Sequence, residues 1–457
     1  MDHFIDQHRG EGQDLSEGAF TMAMGGEALR KLAVYSLPFE GAWVVKVVQA
    51  AVSAGAAEIC IVQDREVTHI TMPGAQFPAP DQVCHALAHA EPTKVPCLAH
   101  LVPALRQIGM NFHRGFRLYL SGVNQMVEWN GGQLSPPQDT EPVETTLEVD
   151  HLSRQEREDY VWFSKTALRA ERCAAVATAL QQRCFTCPVP LWLDHLPHSN
   201  LRRVPIVTDV AIIRPRQVAI MLNFPDLDLP LWDVPPDTFP EDHNPGLAEW
   251  SSSNPPLKVP AAILLNGLYH SNSYILKAVP QASKLYFLQH GAVIDSLKLE
   301  IPKLPLSLHL FLSADGLSLD LTGLSVRETE EKARRLQAIF RATRQLLEEF
   351  QAPDTPQDLD YRPGVRTRGK LALVKAVGAG LFGSVGMMLG LPLVKVGGLG
   401  LVALAALGGG GLGLTMDVAK ERLPPLSEPV NDLKQAWCEA YPDGRPGPED
   451  ENPLTAL

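Results

Sequence analysis

Cys184-Phe185-Thr186-Cys187, followed by His195 and His198, puts two thiols and two imidazoles on a short stretch of chain. Two cysteines and two histidines are the donor set of a tetrahedral zinc site. Seven residues separate the pairs, and Pro188-Val189-Pro190-Leu191-Trp192-Leu193 within that gap reads as a strand, which would hold them apart. The default expectation is therefore buried thiols beside a strand, with these four residues as the metal candidate. A redox Cys-x-x-Cys needs a helix starting behind it to lower a thiol pKa, and Pro188-Val189-Pro190 does not start one. Asp226 and Asp228 offer oxygen donors in a loop and read as solvated. There is no GxSxG elbow, Walker loop or HExxH, and none of the fourteen histidines forms a recognisable pair with a nucleophile.

The richest stretch is Val44-Val45-Lys46-Val47-Val48-Gln49-Ala50-Ala51-Val52-Ser53-Ala54-Gly55-Ala56-Ala57-Glu58-Ile59. It reads as an amphipathic helix ending at Ala54-Gly55-Ala56 and passing into a strand. Val45, Val48 and Val52 recur at helical spacing and are expected to face a sheet. Thr71-Met72-Pro73-Gly74-Ala75-Gln76-Phe77 follows at the end of the next strand.

This helix-turn-strand resembles the first ATP-binding helix of the GHKL (Bergerat-fold) ATPases, in particular the MutL-like and HtpG-like members, over about residues 20–130. The resemblance implies a helix that carries a general-base glutamate, a magnesium-holding asparagine and a later polar or acidic residue. Those positions hold Gln49, Ala50 and Ser53. It also implies an Asp-x-Gly-x-Gly loop whose aspartate reads adenine. Met72 stands at the aspartate position, and Gly74 survives. Cys97 to Ile108 takes the approximate place of the glycine-rich lid without its glycines. A glutamine cannot take a proton from water as a carboxylate does, and an alanine cannot ligate magnesium, which wants oxygen. The resemblance therefore implies the fold without the hydrolysis. No catalytic residue or cofactor is expected, and ATP or ADP would be held at most weakly, through backbone groups.

The elements that position these residues fit one α+β class. With 457 residues, 45% hydrophobic and 20% charged, the chain has ordinary globular composition at two to four domains. That excludes wholesale disorder and a polytopic membrane protein. A net charge of −12 argues against a nucleic-acid partner, because phosphate neutralisation needs a basic surface. Seven scattered cysteines suit a reducing compartment. Met1 to Leu15 is polar and charged, without the apolar run of an export signal.

The expected order is a GHKL-like α/β sandwich over 15–130, a polar linker over 131–147, a second α+β (middle-type) domain over 148–324, a long helix, a glycine-rich hydrophobic hairpin and an acidic tail. In the first domain, helices are expected at Gly26–Ser36, Ala42–Ala54, Pro80–Ala90 and Cys97–Ile108. Strands are expected at Ala57–Gln63, Val67–Met72, Phe116–Leu120 and Gln125–Trp129. In the second, helix Lys165–Gln182 leads to strand Val189–Leu193. A proline-rich surface loop over Pro225–Pro256 then precedes strands at Ala261–Leu265, Lys284–Gln289, Leu306–Phe311 and Leu317–Leu321. The long helix, Val326–Phe350 within the region 325–352, is expected to start on a Ser325/Glu328 capping box. It buries Leu336, Ile339, Phe340, Leu346, Leu347 and Phe350, either against the second domain or against a coiled-coil partner.

From Leu371 to Met416 the only charges are Lys375 and Lys395. A bilayer takes about 20 apolar residues per span, so this region, 371–416, could supply two, Ala376–Val394 and Val396–Met416. Ala376, Gly380 and Ser384, and then Gly386 and Gly390, fall four apart, and small residues at that spacing let membrane helices approach closely. The basic flank at Arg362, Arg366, Arg368, Lys370 and Lys375 suits the cytoplasmic side. The alternative is a buried hairpin in a soluble oligomer. The tail, 417–457, is acidic and is expected to be exposed.

The whole reads as a bacterial-type intracellular protein, more a binding module than an enzyme: a non-hydrolysing, regulatory or chaperone-like GHKL-fold protein on the cytoplasmic face of the inner membrane. Its expected partners are membrane lipid and another protein or a second copy of itself. The alternatives are a membrane-active effector, pore-forming or membrane-disrupting, whose folded domains restrain the hairpin, and a divergent ATPase.

Overall fold

The computed structural model describes residues 12–14, 20–22, 37–89, 93–130, 132–141, 144–199, 201, 213–221, 227–235, 248–249, 258–272, 275–350 and 427–442. Apart from residues 271–272 and 427–428, the elements discussed below belong to the larger of two units, which takes in Met1–His270, Ala278–Phe350 and Pro429–Leu457. The expected helix at 26–36 and the glycine-rich region 371–416, with Ala376, Gly380, Ser384, Gly386 and Gly390, lie outside the described residues.

The first sheet has nine strands. They are β1 (Ile59–Gln63), β2 (Val67–Thr71), β3 (Phe116–Leu120), β4 (Gln125–Asn130), β5 (Gln133–Leu134), β6 (Gln138–Asp139), β7 (Thr146–Asp150), β8 (Leu191–Leu193) and β9 (Leu196–Pro197). Their order is β9-β8-β1-β2-β7-β3-β4-β5, with β6 beside β4. β8 runs parallel to β1, with Leu191 opposite Ile59. Side chains alternate along each strand. Phe116, Leu118 and Leu120 of β3 are buried while Arg117 and Tyr119 face the other way. Ile59 and Ile61, Ile70, and Leu147 and Val149 continue the buried set.

Helices α1 (Ala42–Ser53), α2 (Pro80–Ala88), α3 (Pro96–Arg106), α4 (Arg154–Asp159) and α5 (Trp162–Arg183) accompany this sheet. Every residue of α1 from Ala42 to Ala51 is buried. It packs against α3 and α5. The amphipathic helix expected here is thus buried over its first ten residues, Lys46 and Gln49 included. Val45 and Val48 are fully buried and Val52 is partly so.

The second sheet holds β10 (Ile213–Met221), β11 (Ala248–Glu249), β12 (Ala261–Asn272), β13 (Lys284–Gln289), β14 (Ala292–Lys298) and β15 (Leu306–Ser313). They run in the order β11-β10-β12-β15-β13-β14. β13 and β15 are parallel. All eight residues of β15 are buried, the mark of a strand covered on both faces. Helix α6 (Glu330–Glu349) lies against this sheet. Its Arg335 Nη1 donates to Ser313 O at 2.9 Å, and Lys332 sits over the Phe287 ring. Its expected apolar face is buried through Leu336, Ile339, Phe340, Leu346 and Leu347.

Several expectations change. Residues 131–147 are not simply a linker: β5, β6 and the start of β7 lie there. Together with β8, they show that the first sheet draws on chain beyond 130, because their hydrogen-bonding edges pair with β4, β2 and β1. Cys97–Ile108 is α3 followed by a π-helical turn, Gln107–Asn111. Leu317–Leu321 is not a strand. Asp320 Oδ1 accepts from Leu324 N and Ser325 N and closes a turn instead. The long helix is capped by Thr329, whose side chain accepts from Lys332 N. Ser325 does not cap it, because Asp295 Oδ2 holds Ser325 Oγ and Val326 N. The loop at 225–256 is not wholly at the surface, since Leu229, Trp232 and Val234 are buried.

Part of the expected acidic tail folds as α7 (Ser427–Ala440). Its Val430, Leu433 and Trp437 recur at helical spacing and are buried, and Tyr441 follows. Phe340 of α6 meets Trp437 edge-on with centroids 5.4 Å apart.

Candidate functional site

The α1 sequence, Ala-Trp-Val-Val-Lys-Val-Val-Gln-Ala-Ala-Val-Ser, contains no carboxylate. Gln49 is wholly buried. Its Nε2 donates to Gln289 O at 3.1 Å, and its Oε1 has no hydrogen-bond partner. Gln289 ends β13, so the turn into β14 covers this face of α1. Ala50 contributes a buried methyl group. Ser53 Oγ donates back to Gln49 O at 2.8 Å, the local bond that helical serines commonly make.

Met72 is also wholly buried, with its N–H bonded to Thr145 O at 2.8 Å. Gly74 has φ +79°, a conformation that favours glycine. The turn it allows docks on the end of α1: Ala57 N donates to Pro73 O and Gln76 N to Ala54 O, both at 2.8 Å. The structure therefore sets Gln49, Ala50 and Ser53 along α1 and docks the turn of Met72 and Gly74 on the C-terminal end of the same helix. Their side chains supply an amide, a methyl, a hydroxyl and a thioether. None of these is a general base near neutral pH.

Sequence reasoning missed the polar groups that surround this junction. Lys46, 2% exposed, donates from Nζ to Gly323 O at 2.9 Å. Burial brings its pKa down to about 8, with the Asp320 carboxylate opposing and Arg183 adding to the fall. His100 of α3 and His290, in the β13–β14 turn, share a hydrogen bond of 2.8 Å between Nε2 and Nδ1. Burial, then Lys46 and His290, push His100 down to about 2. Burial lowers His290 as well, opposed by Asp315. A lone lysine among the valines 44–48 was a visible signal. The histidine pair spans 190 positions and left no local one. The adjoining cavity, between Val52, Pro188, Trp232, His290 and Asp315, is about 90 Å³, against about 300–1,000 Å³ for small-molecule sites.

Cys184 and Cys187 are fully buried, and burial raises both thiols, Cys187 to about 12. His195 is exposed in a turn at φ 66°. Among the described residues no three of His, Cys, Asp and Glu gather to hold a metal ion, so Cys184, Cys187, His195 and His198 do not assemble the zinc set. The strand β8 between the pairs is the physical reason. The segment serves packing instead. Phe185 enters the second sheet's core, edge-on to Tyr286 at 5.9 Å and to Phe311 at 6.1 Å. Thr186 Oγ1 donates to Gly291 O. Asp228 is exposed, and Asp226 lies outside the described residues.

No family model matches the chain, and no curated protein does. Solved structures similar to it include the Aquifex aeolicus MutL ATPase domain complexed with ADP, at 11% identity and TM-score 0.30, covering 59% of this chain and 91% of that one. The N-terminal domain of a DNA repair protein is similar at 12% identity and TM-score 0.32, over 69% and 95% of the two chains. The ATPase domain of the Aquifex aeolicus mismatch repair endonuclease MutL is similar at 10% and 0.31, over 66% and 98%. These are likenesses of fold at low overlap. The α+β class itself rests on the strand order and helices described above.

Proposed function

We propose that this chain is a GHKL-like module that does not hydrolyse nucleotide and acts as a regulatory or chaperone-like protein at the cytoplasmic face of the inner membrane. The observation that carries this reading is the state of α1. The helix offers no carboxylate, and the Gln49 amide is buried and held by the β13–β14 turn. The small neighbouring cavity agrees with a junction built for packing. Nucleotide turnover by the full chain tests this part, with background-level turnover expected.

The membrane part is supported by the composition of Leu371–Met416 and its basic flank. A second support is the apolar tip at the start of α5, where Val161, Trp162 and Phe163 are 68–70% exposed. Contiguous exposed apolar residues mark surfaces that meet lipid or protein. No described helix is long and apolar enough to cross a membrane, and region 371–416 lies outside the described residues.

Flotation of the full chain with liposomes tests this part. Leu404→Arg should prevent flotation, at about 2.5–3.5 kcal/mol per charged residue on the insertion scale. Gly386→Leu should leave flotation unchanged, since it keeps the segment apolar. A chain that stays soluble without detergent, with 371–416 protected from protease inside an oligomer, would overturn the membrane assignment.

A further inference from the structure

A cleft of about 380 Å³ opens at the N-terminal end of α1, with Phe39, Glu40, Gln107, Phe112, Arg114 and Arg172 among its lining residues. Its floor is two guanidinium groups. Arg114 is 2% exposed and Arg172 is 9% exposed. Arg172 is held by Glu156, which accepts two bonds at 2.7 and 2.8 Å. Arg114 has one carboxylate bond, from Nη2 to Glu40 Oε1 at 2.6 Å, and its Nε has no hydrogen-bond partner. The same Glu40 oxygen is 3.5 Å from Arg172 Nε.

Glu40 therefore stands between both guanidiniums. Unlike them it is about a third exposed, with its side chain at 35%, and it sits on the turn that leads into α1. That helix has no side-chain cap and no acidic residue in its first turn, so its positive end is met by Glu40 alone among the acidic residues next to it in sequence. Glu171 also borders the cleft and is exposed.

The rim adds a second, independent set of features. Gln107 is 2% exposed, lines the cleft, and leaves its Oε1 without a partner. It opens the π-helical turn Gln107–Asn111, in which Phe112 N bonds to Gln107 O at 2.9 Å. Such turns recur at functional sites. Gly109 is required within it, since a Cβ there would lie 2.9 Å from the Trp129 ring. Phe112 and Phe39 give the cleft apolar walls. The Arg114 guanidinium lies 4.7 Å from the Phe112 centroid.

We propose that this cleft binds a small organic oxyanion, a carboxylate or phosphate ester carrying an apolar body. The oxyanion takes the place of the Glu40 carboxylate between Arg114 and Arg172, where a guanidinium fork recognises paired oxygens. The body lies between Phe39 and Phe112, and Gln107 Oε1 accepts from any donor the ligand carries. No bond is made or broken.

The test is calorimetric titration of the full chain with phenyl phosphate and with benzoate, with inorganic phosphate as the control that lacks an apolar body. Wild type, Glu40→Gln and Phe39→Ala are compared. Glu40→Gln removes the resident competitor and should tighten one of the two aromatic anions at least tenfold. Which one tightens distinguishes phosphate from carboxylate. Phe39→Ala should shrink the preference of wild type for that anion over inorganic phosphate at least threefold, and it carries the test if circular dichroism shows Glu40→Gln unfolded. Absence of binding by every probe, equal affinity in wild type and folded Glu40→Gln, or no preference for the aromatic anions would overturn the proposal.

Discussion

Lys46 shows what the interior of α1 demands of a single side chain. Its ammonium is buried, and its folded pKa of about 8 lies below the ordinary value near 10.5. Below pH 8 both folded and unfolded chains carry the proton, and the desolvation cost is fully present. As pH rises from 8 to 10.5 the folded chain releases its proton first, so this group makes the protein more stable with rising pH. The gain is about 3 kcal/mol over that window. Urea unfolding of wild type and Lys46→Met should diverge by this amount between pH 7 and 10.5, with wild type gaining. Parallel profiles would show that Lys46 is not desolvated. At this scale the sequence was partly legible. Gln49, Ala50 and Met72 announced that ionisable side chains were missing at the junction. The buried pair His100 and His290 met only through folding.

Elements were more legible where a single physical cause fixed them. β13 (Lys284–Gln289) and β3 (Phe116–Leu120) were read to the residue, because apolar runs bounded by turn residues fix strands. The sequence of α1 shows a helix but not its enclosure, since it does not show that α3, α5 and the β13–β14 turn close on it. That enclosure makes Val48, 0% exposed, a sharp test. Val48→Asp should cost on the order of 3–5 kcal/mol for an unpaired buried charge, read as a lowered melting temperature. An unchanged melting temperature would place Val48 outside the core.

The joint between α3 and the β13–β14 turn adds a second pH dependence of the same sign, on the acid side of neutrality. His100 stays neutral when folded, with Lys46 and Asp315 facing its pair with His290. Unfolded, it would take a proton near pH 6.5, so stability present above that pH is lost as pH falls towards the folded value. About 3 kcal/mol should go by pH 4.5, and His100→Leu should flatten this limb in a denaturant titration. A limb of the same slope in the variant would remove the pair from the explanation.

For the whole molecule, the α+β class was legible from helices followed by strand-rich stretches rather than a strict βαβ alternation. The sharing of strands was not: β7 and β8 come from beyond position 130 and complete the first sheet through long-range hydrogen bonds. The folding of α7 onto α6 was likewise hidden, because an acidic, proline-bearing composition masked four apolar residues at helical spacing. The two sheets meet across the elements that hold α1, through Phe185, the β13–β14 turn and Lys46. The proposed function makes the place where the GHKL resemblance puts a nucleotide a packing joint. Magnesium-dependent ATP turnover by the purified full chain tests this most directly. Turnover at background level, unchanged in Gln49→Ala and Lys46→Ala, is the expected result. Turnover above background that either substitution abolishes would contradict it.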